Sequence, residues 1–248
     1  MNAPDNRDDS TVGTVATVAG AGPVTRLTLP VGADDLARLQ LGGVVYLDGV
    51  IYTAREGVYK RVVEDGAPLP VDLPALSRVN FHCSPAAARD ADGEYRVGGV
   101  TATASFRFAK WMRAWFALSS ANIIIGKGGM RAQDYADYFV PAGAVYLTTV
   151  GYGSGALLGR GIVRVRDVFW ADELGSAQAL WVFEVADFGP FLVESDLTGN
   201  SLFELHSREV NTRIDALYAG LKAPAMRRFG ETDNRQDELF QATEDGGD

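Results

Sequence analysis

Apolar residues fall along this chain in short blocks, and the spacing inside each block sets the elements. Over residues 42–54, "GGVVYLDGVIYTA", two β-branched runs flank Asp48-Gly49. That pattern predicts two short strands joined by a hairpin turn. "RVNFHCS" is a short apolar run that ends at Ser84-Pro85, and "ANIIIG", "GAVYLTTV" and "DVFWA" are nearly continuous apolar runs. Continuity of this kind predicts strands buried on both faces. "LWVFEVADFGPFLVESD" predicts two more, split at Gly189-Pro190. Helical spacing appears at Phe108, Trp111, Met112, Trp115 and Phe116, with Ser105 placed to cap the first turn. "RAQDYADYFVPAG" predicts a short helix stopped near Pro141. Leu205, Val210, Ile214, Leu217, Tyr218 and Leu221 form one stripe ahead of Pro224. This predicts a helix over about 204–222 that packs on the core. Strands and helices interleave, so the predicted class is α/β with a mixed sheet. One domain is expected over residues 24–223. Residues 1–23 and the acidic 224–248 are small, polar and charged, which predicts mostly disordered tails.

Charge narrows the function. The 248 residues carry a net charge of −9. A surface of that sign disfavours nucleic acid, which needs a cationic face, and a polybasic membrane contact. An anionic ligand would have to be held by a few local cations. The single cysteine, Cys83, cannot form an internal disulfide, which suits a reducing cytoplasm. It also cannot ligate an iron–sulfur cluster, which needs several thiolates. No metal site is therefore expected within this chain. No apolar run approaches the length of a membrane span, and the N-terminus lacks a signal-peptide pattern.

Several segments carry candidate chemistry. "GKGG" at 126–129 suggests a phosphate loop, but that motif needs Ser or Thr after the lysine, and Lys127 is followed by Gly128. The plain alternative is a solvated turn lysine. In "VGYGSGALLG", Gly151, Gly153 and Ala156 fit a GxGxxA dinucleotide fingerprint after a strand. The crossover that follows is short for such a unit, and the plain alternative is a tight turn that needs small residues. His82 and Cys83 are strand neighbours on opposite faces, so they are expected to be structural rather than a nucleophile pair. Arg55 ends a strand. Thr103 and Arg107 lie four residues apart around a predicted helix start, where unpaired amides and the helix dipole favour a carboxylate and an arginine can add a two-donor grip.

Taken in order, "GVVYLDGVIYTAREGVYKR", "TATASFRFAKW", "IIIGKGGM", "AVYLTTVGYGSGALL" and "DELGSAQALWVFEVADFGPFLVESDLTGNSLFE" resemble one family. It is the β-subunit of class I iron–sulfur fumarases and L-tartrate dehydratases, or the C-terminal domain of their single-chain forms. The resemblance covers roughly residues 28–204. It implies a swivelling β/β/α domain and a hydro-lyase that adds or removes water on a small dicarboxylate. It also implies a [4Fe–4S] cluster held by a partner α-subunit and an α2β2 heterotetramer. The arginine of the TAR motif falls on Arg55. The threonine, serine and arginine of TTSxR fall on Thr103, Ser105 and Arg107, and the lysine of GKG falls on Lys127. The resemblance makes Thr103 the catalytic base and the other four substrate-binding.

The sequence departs from the family pattern at Tyr59, where a histidine is usual, at Ala104 in place of the second threonine, and at Gln178 in place of a glutamate. "HCSP" stands where a Gly-Pro is common. These departures keep open a second class of function, a dicarboxylate-binding or regulatory relative without turnover, and leave the diacid itself open.

Overall fold

The computed structural model describes residues 22–151 and 153–219, without the side chains of 215, 216 and 218. The predicted tails at 1–23 and 224–248 lie almost wholly outside the described residues. The chain divides into two units, the first ending at Leu205 and the second starting at His206.

Among its described residues the first unit has nine strands: β1 Val24–Thr28, β2 Val44–Thr53, β3 Val79–Phe81, β4 Cys83–Arg89, β5 Tyr95–Ala102, β6 Ile123–Gly126, β7 Val145–Thr149, β8 Ile162–Phe169 and β9 Leu180–Ser195. Seven form one sheet in the order β1-β2-β3-β6-β7-β9-β8, and β2 also pairs with β9. The pairings therefore close a circuit through β2, β3, β6, β7 and β9. β1, β2, β3, β6 and β7 run parallel to their neighbours, while β9 is antiparallel to β2, β7 and β8. The class is mixed α/β, as the interleaved pattern predicts. β4 and β5 form a separate two-stranded sheet that the apolar pattern does not predict.

Alternation along each strand sorts the core into two clusters. Ile123, Ile125, Val145, Leu147, Trp181 and Phe183 belong to one, and Ile124, Tyr146, Leu180 and Val182 to the other. The second cluster is completed by Trp111, Met112, Trp115 and Phe116 from the helix Ala109–Ser119. Both faces of the strands are thus covered, which is why they read as unbroken apolar runs.

Two expected breaks are absent. β2 runs straight through Asp48-Gly49 instead of turning. Gly49 sits at φ +131°, opposite register shifts against β9, and a Cβ there would press on Leu29. The glycine serves a bulge and a close approach rather than a hairpin. β9 likewise continues through Gly189-Pro190 as one strand of 16 residues. One edge pairs with β2 on both sides of Gly189-Pro190, while the other pairs with β8 in the first part and with β7 in the last. The strand changes partners there and does not end.

The segment 150–159 takes its plain form. The helix Ser154–Arg160 packs on β5, where Cβ atoms at Gly155 and Gly159 would strike the backbone at Val100 and at Gly98–Gly99. Small residues there permit backbone contact. The helix Leu202–Tyr218 begins in the first unit and continues in the second. The predicted stripe along it is solvent-facing, with Leu205, Val210, Ile214 and Leu217 between 42% and 70% exposed. Among the described residues no helix is long and apolar enough to cross a membrane.

Candidate active site

The carboxyl ends of parallel strands leave backbone donors and side chains free at one edge of a sheet, the usual position of a ligand in α/β proteins. Here β2 ends before Arg55, β3 ends before His82 and β6 ends before Lys127. Backbone hydrogen bonds then tie these exits together. The amide of His82 donates to Ile125 O at 2.8 Å, that of Thr103 to His82 O at 2.7 Å, and that of Lys127 to Thr103 O at 3.1 Å. Thr103 is thus fixed on both sides, between the end of β3 and the lysine turn. It is 8% exposed.

Arg55 and Arg107 lie close enough to feel each other's charge. Arg107 lies 3.4 Å from Glu56, which also pairs with Lys60 at 3.2 Å. Arg55 donates to Ser84 Oγ and, at 2.8 Å, to Ala177 O, while its Nε is buried with no partner. Burial, and after it the charge of Arg107, hold Arg55 below the usual arginine value. Gln178 accepts from the Gly57 amide at 3.1 Å, at the start of the helical turn Glu56–Tyr59. The side chains of Arg107 and Lys127 are exposed. Four of the five sequence-predicted residues, Arg55, Thr103, Arg107 and Lys127, therefore lie along one edge of the sheet, three of them cationic. The cavity of about 210 Å³ lined by Leu29, Val79 and Asn122 is at the amino ends of the same strands and includes none of them.

Ser105 takes a different position from the one its spacing predicts. The chain enters the helix through a 3₁₀ turn, Ser105–Phe108, whose N-cap position is Ala104, so Ser105 is not the capping residue. Its oxygen turns inward instead. It bonds His82 Nδ1 at 2.7 Å and Tyr146 OH at 2.7 Å, and lies against Gly126. His82 Nε2 is 2.6 Å from Tyr59 OH, which also accepts from Asn80 Nδ2 at 2.7 Å. Tyr59, Asn80, His82, Ser105 and Tyr146 are all fully buried. Burial, and after it the charge of Arg55, push the His82 imidazole down to about 3, so it is neutral at physiological pH. Burial also raises the Cys83 thiol well above its ordinary value, which makes Cys83 a poor nucleophile. This polar network was not legible in the sequence. Its members are far apart in the chain, and although Ser105, His82 and Tyr59 each drew notice singly, nothing in the sequence marked them as joined.

A second buried group supports the lysine turn. The Glu194 carboxylate accepts from Tyr135 and Ser201, and a Cβ on Gly129 would touch it. Tyr135 OH in turn accepts from the Met130 amide at 2.8 Å. Burial raises Glu194 from 4.5 to about 7. The folded carboxyl keeps its proton to higher pH than the unfolded one. The stability it contributes is full below about pH 4.5 and is lost as the pH rises through about 7. Between pH 5 and pH 8, wild type is expected to lose about 2–3 kcal/mol relative to Glu194→Gln, at up to ~1.4 kcal/mol per pH unit. Urea midpoints at the two pH values measure this, and parallel profiles would show that Glu194 titrates normally.

Among the described residues no group of three or more His, Cys, Asp or Glu side chains could hold a metal ion, and Cys83 is buried. These residues do not fit an iron–sulfur cluster.

Comparison with known proteins identifies the family. The family model described as "Fumarase C-terminus" matches residues 10–206. A Methanocaldococcus jannaschii protein, named provisionally as L(+)-tartrate dehydratase subunit beta, is 34% identical over 186 residues, 74% of this chain and 93% of its own. The L(+)-tartrate dehydratase subunit beta of Escherichia coli K12 is 28% identical over 77% of this chain and 92% of its own. A Geobacillus stearothermophilus protein, named provisionally as fumarate hydratase class I, is 29% identical over 73% of this chain but only 34% of its own length.

Proposed function

This chain belongs to the fumarase C-terminus family, and from that premise we propose that it is the β-subunit of a heteromeric hydro-lyase acting on a small dicarboxylate. The observation that carries the reading is the edge just described. Three cations and a backbone-clamped threonine stand at the carboxyl ends of adjacent parallel strands. Arg55 and Arg107 take one carboxylate and Lys127 the other. The Arg107–Glu56 contact is exposed, so it is worth only ~0–1 kcal/mol and yields readily to a substrate carboxylate. The unpartnered Nε of Arg55 is a donor ready for the same oxygen. Thr103 moves the C3 proton. Its hydroxyl needs a lowered pKa for this, and the nearby cations act in that direction. The [4Fe–4S] cluster belongs to the α-subunit, and when bound there it supplies Lewis-acid activation of the leaving hydroxyl. The domain is of the swivelling β/β/α type and the assembly is α2β2.

Two of the departures from the family pattern have partners inside this chain. Gln178 bonds the Gly57 amide, and Tyr59 bonds His82 and Asn80. Both support the cationic edge, which a binding relative without turnover would need as much as an enzyme does.

Co-expression with an α-type subunit under anaerobic conditions tests the proposal. The purified pair is expected to be brown and to turn over at least one of fumarate, malate, the tartrates or mesaconate, with activity lost in air. The chain alone is expected to be colourless and inactive. A cluster-loaded pair with no turnover on any of these diacids, or turnover by the chain alone, would overturn it.

A further inference from the structure

A cavity of about 210 Å³ lies at the far end of the sheet from the cationic edge. β3 and β6 begin beside it, at Val79 and Ile123, and end before His82 and Lys127. The cavity and the edge therefore occupy opposite ends of the same strands. Leu29, Val31, Val50, Leu76 and Val79 give the cavity apolar walls. Its volume is below the ~300–1,000 Å³ of pockets for drug-sized ligands, so its occupant is small and has an aliphatic body.

Three polar side chains line the cavity, and two of them are incompletely bonded. Ser77 is satisfied. It donates to Val50 O at 2.6 Å and accepts from the Val79 amide at 3.2 Å. Asn122 is not, although it is only 2% exposed. Its Nδ2 donates to Val31 O at 2.9 Å. A carbonyl can only accept, so this bond fixes which way the amide faces. Asn122 Oδ1 is then buried with no partner, a state that calls for a donor. Arg78 is half-buried and donates through Nε to Ser120 O at 2.7 Å. Among the described residues no carboxylate pairs with its guanidinium.

The wall thus presents one uncompensated cation and one acceptor without a donor. A carboxylate answers the first, because a guanidinium offers it two N–H groups at once. A hydroxyl answers the second better than an ammonium does. A cation buried against a single neutral carbonyl would be left without a counter-charge.

We propose that this cavity binds a small aliphatic hydroxy monocarboxylate. Its carboxylate rests on Arg78, its hydroxyl donates to Asn122 Oδ1, and its alkyl body lies among the apolar walls. The site is separate from the diacid edge and does not depend on the function proposed above.

The test uses the full chain and two probes, 2-hydroxy-4-methylpentanoate and 4-methylpentanoate, which differ only in the hydroxyl. Each is titrated into ¹⁵N-labelled protein and followed by ¹H–¹⁵N NMR. The hydroxy acid is expected to bind saturably. It should move the backbone amides of Val31 and Val79 and the side-chain NH2 of Asn122, and leave Thr103 and Lys127 in place. The probe without the hydroxyl is expected to bind about 10-fold more weakly, the scale of one hydrogen bond. Arg78→Gln is expected to weaken the hydroxy acid by about 10-fold or more. Ala75→Trp, at an exposed position of the cavity wall, is expected to fill the space and abolish binding with the melting temperature near that of wild type. It decides the matter if Arg78→Gln does not fold. No saturation by the hydroxy acid, equal affinity for the two probes, shifts confined to Thr103 and Lys127, or binding unchanged in Ala75→Trp would each overturn the proposal.

Discussion

Thr103→Val in the reconstituted pair is expected to lower kcat by about 100-fold or more, the usual scale for removing a general base, while diacid binding largely survives. The fold around the residue explains why the substitution is clean. The Thr103 backbone is held by His82 on one side and Lys127 on the other, and neither bond involves the side chain. Valine keeps the shape and β-branching and deletes only the hydroxyl. The cations Arg55, Arg107 and Lys127, proposed to hold the diacid, sit on other turns and are untouched. The diagnostic measurement is exchange of the C3 hydrogen with deuterated solvent. It should disappear together with turnover. Exchange at the wild-type rate would assign the proton transfer to another group.

Gly126→Ala is expected to cost more than about 3 kcal/mol of stability. The reason is contact rather than backbone strain, since Gly126 is absent from the positive-φ glycines. A Cβ there would overlap both Ser105 Oγ and Tyr146 OH, two fully buried groups bonded to each other. Neither can move without leaving a buried polar atom unpaired. Gly32→Ala is the control, because a Cβ there meets nothing within 4 Å, and its effect should stay within about 0.5 kcal/mol. Equal urea midpoints for the two variants would show that the network gives way easily.

The sequence exposes the parts of this fold whose signal is local. β6 and β7 read directly as apolar runs, and Phe108, Trp111, Met112, Trp115 and Phe116 read as one helical face, whereas β8 spans Ile162–Phe169, meets the predicted run "DVFWA" only at its last three residues and has no buried residue. It misleads where one residue type serves two purposes. Asp48-Gly49 has hairpin chemistry, yet its glycine answers a close approach by Leu29, a residue on another segment. Gly189-Pro190 has the composition of a strand end, but the strand is held on both sides there by other strands. The apolar stripe at 205–217 matches a core face in period and is exposed. Period alone does not reveal what, if anything, lies opposite. The site divides in the same way. Arg55, Thr103, Arg107 and Lys127 stand at element ends that the pattern marks. Tyr59, Asn80, His82 and Tyr146 act through hydrogen bonds across 21 to 41 positions, and no local spacing encodes them.

The closed circuit of strands has a consequence for the order of assembly. β2 is complete at residue 53, but its antiparallel partner begins only at residue 180. During synthesis one edge of β2 has no native partner until nearly the whole first unit has been made. The same is true of β7, whose outer edge also waits for β9. The long strand β9 closes both gaps at once, so the circuit is sealed by its last strand rather than grown from one side. Contacts that join such distant segments make for slow folding. Until the seal forms, the nascent chain carries open apolar edges of the kind that chaperones protect.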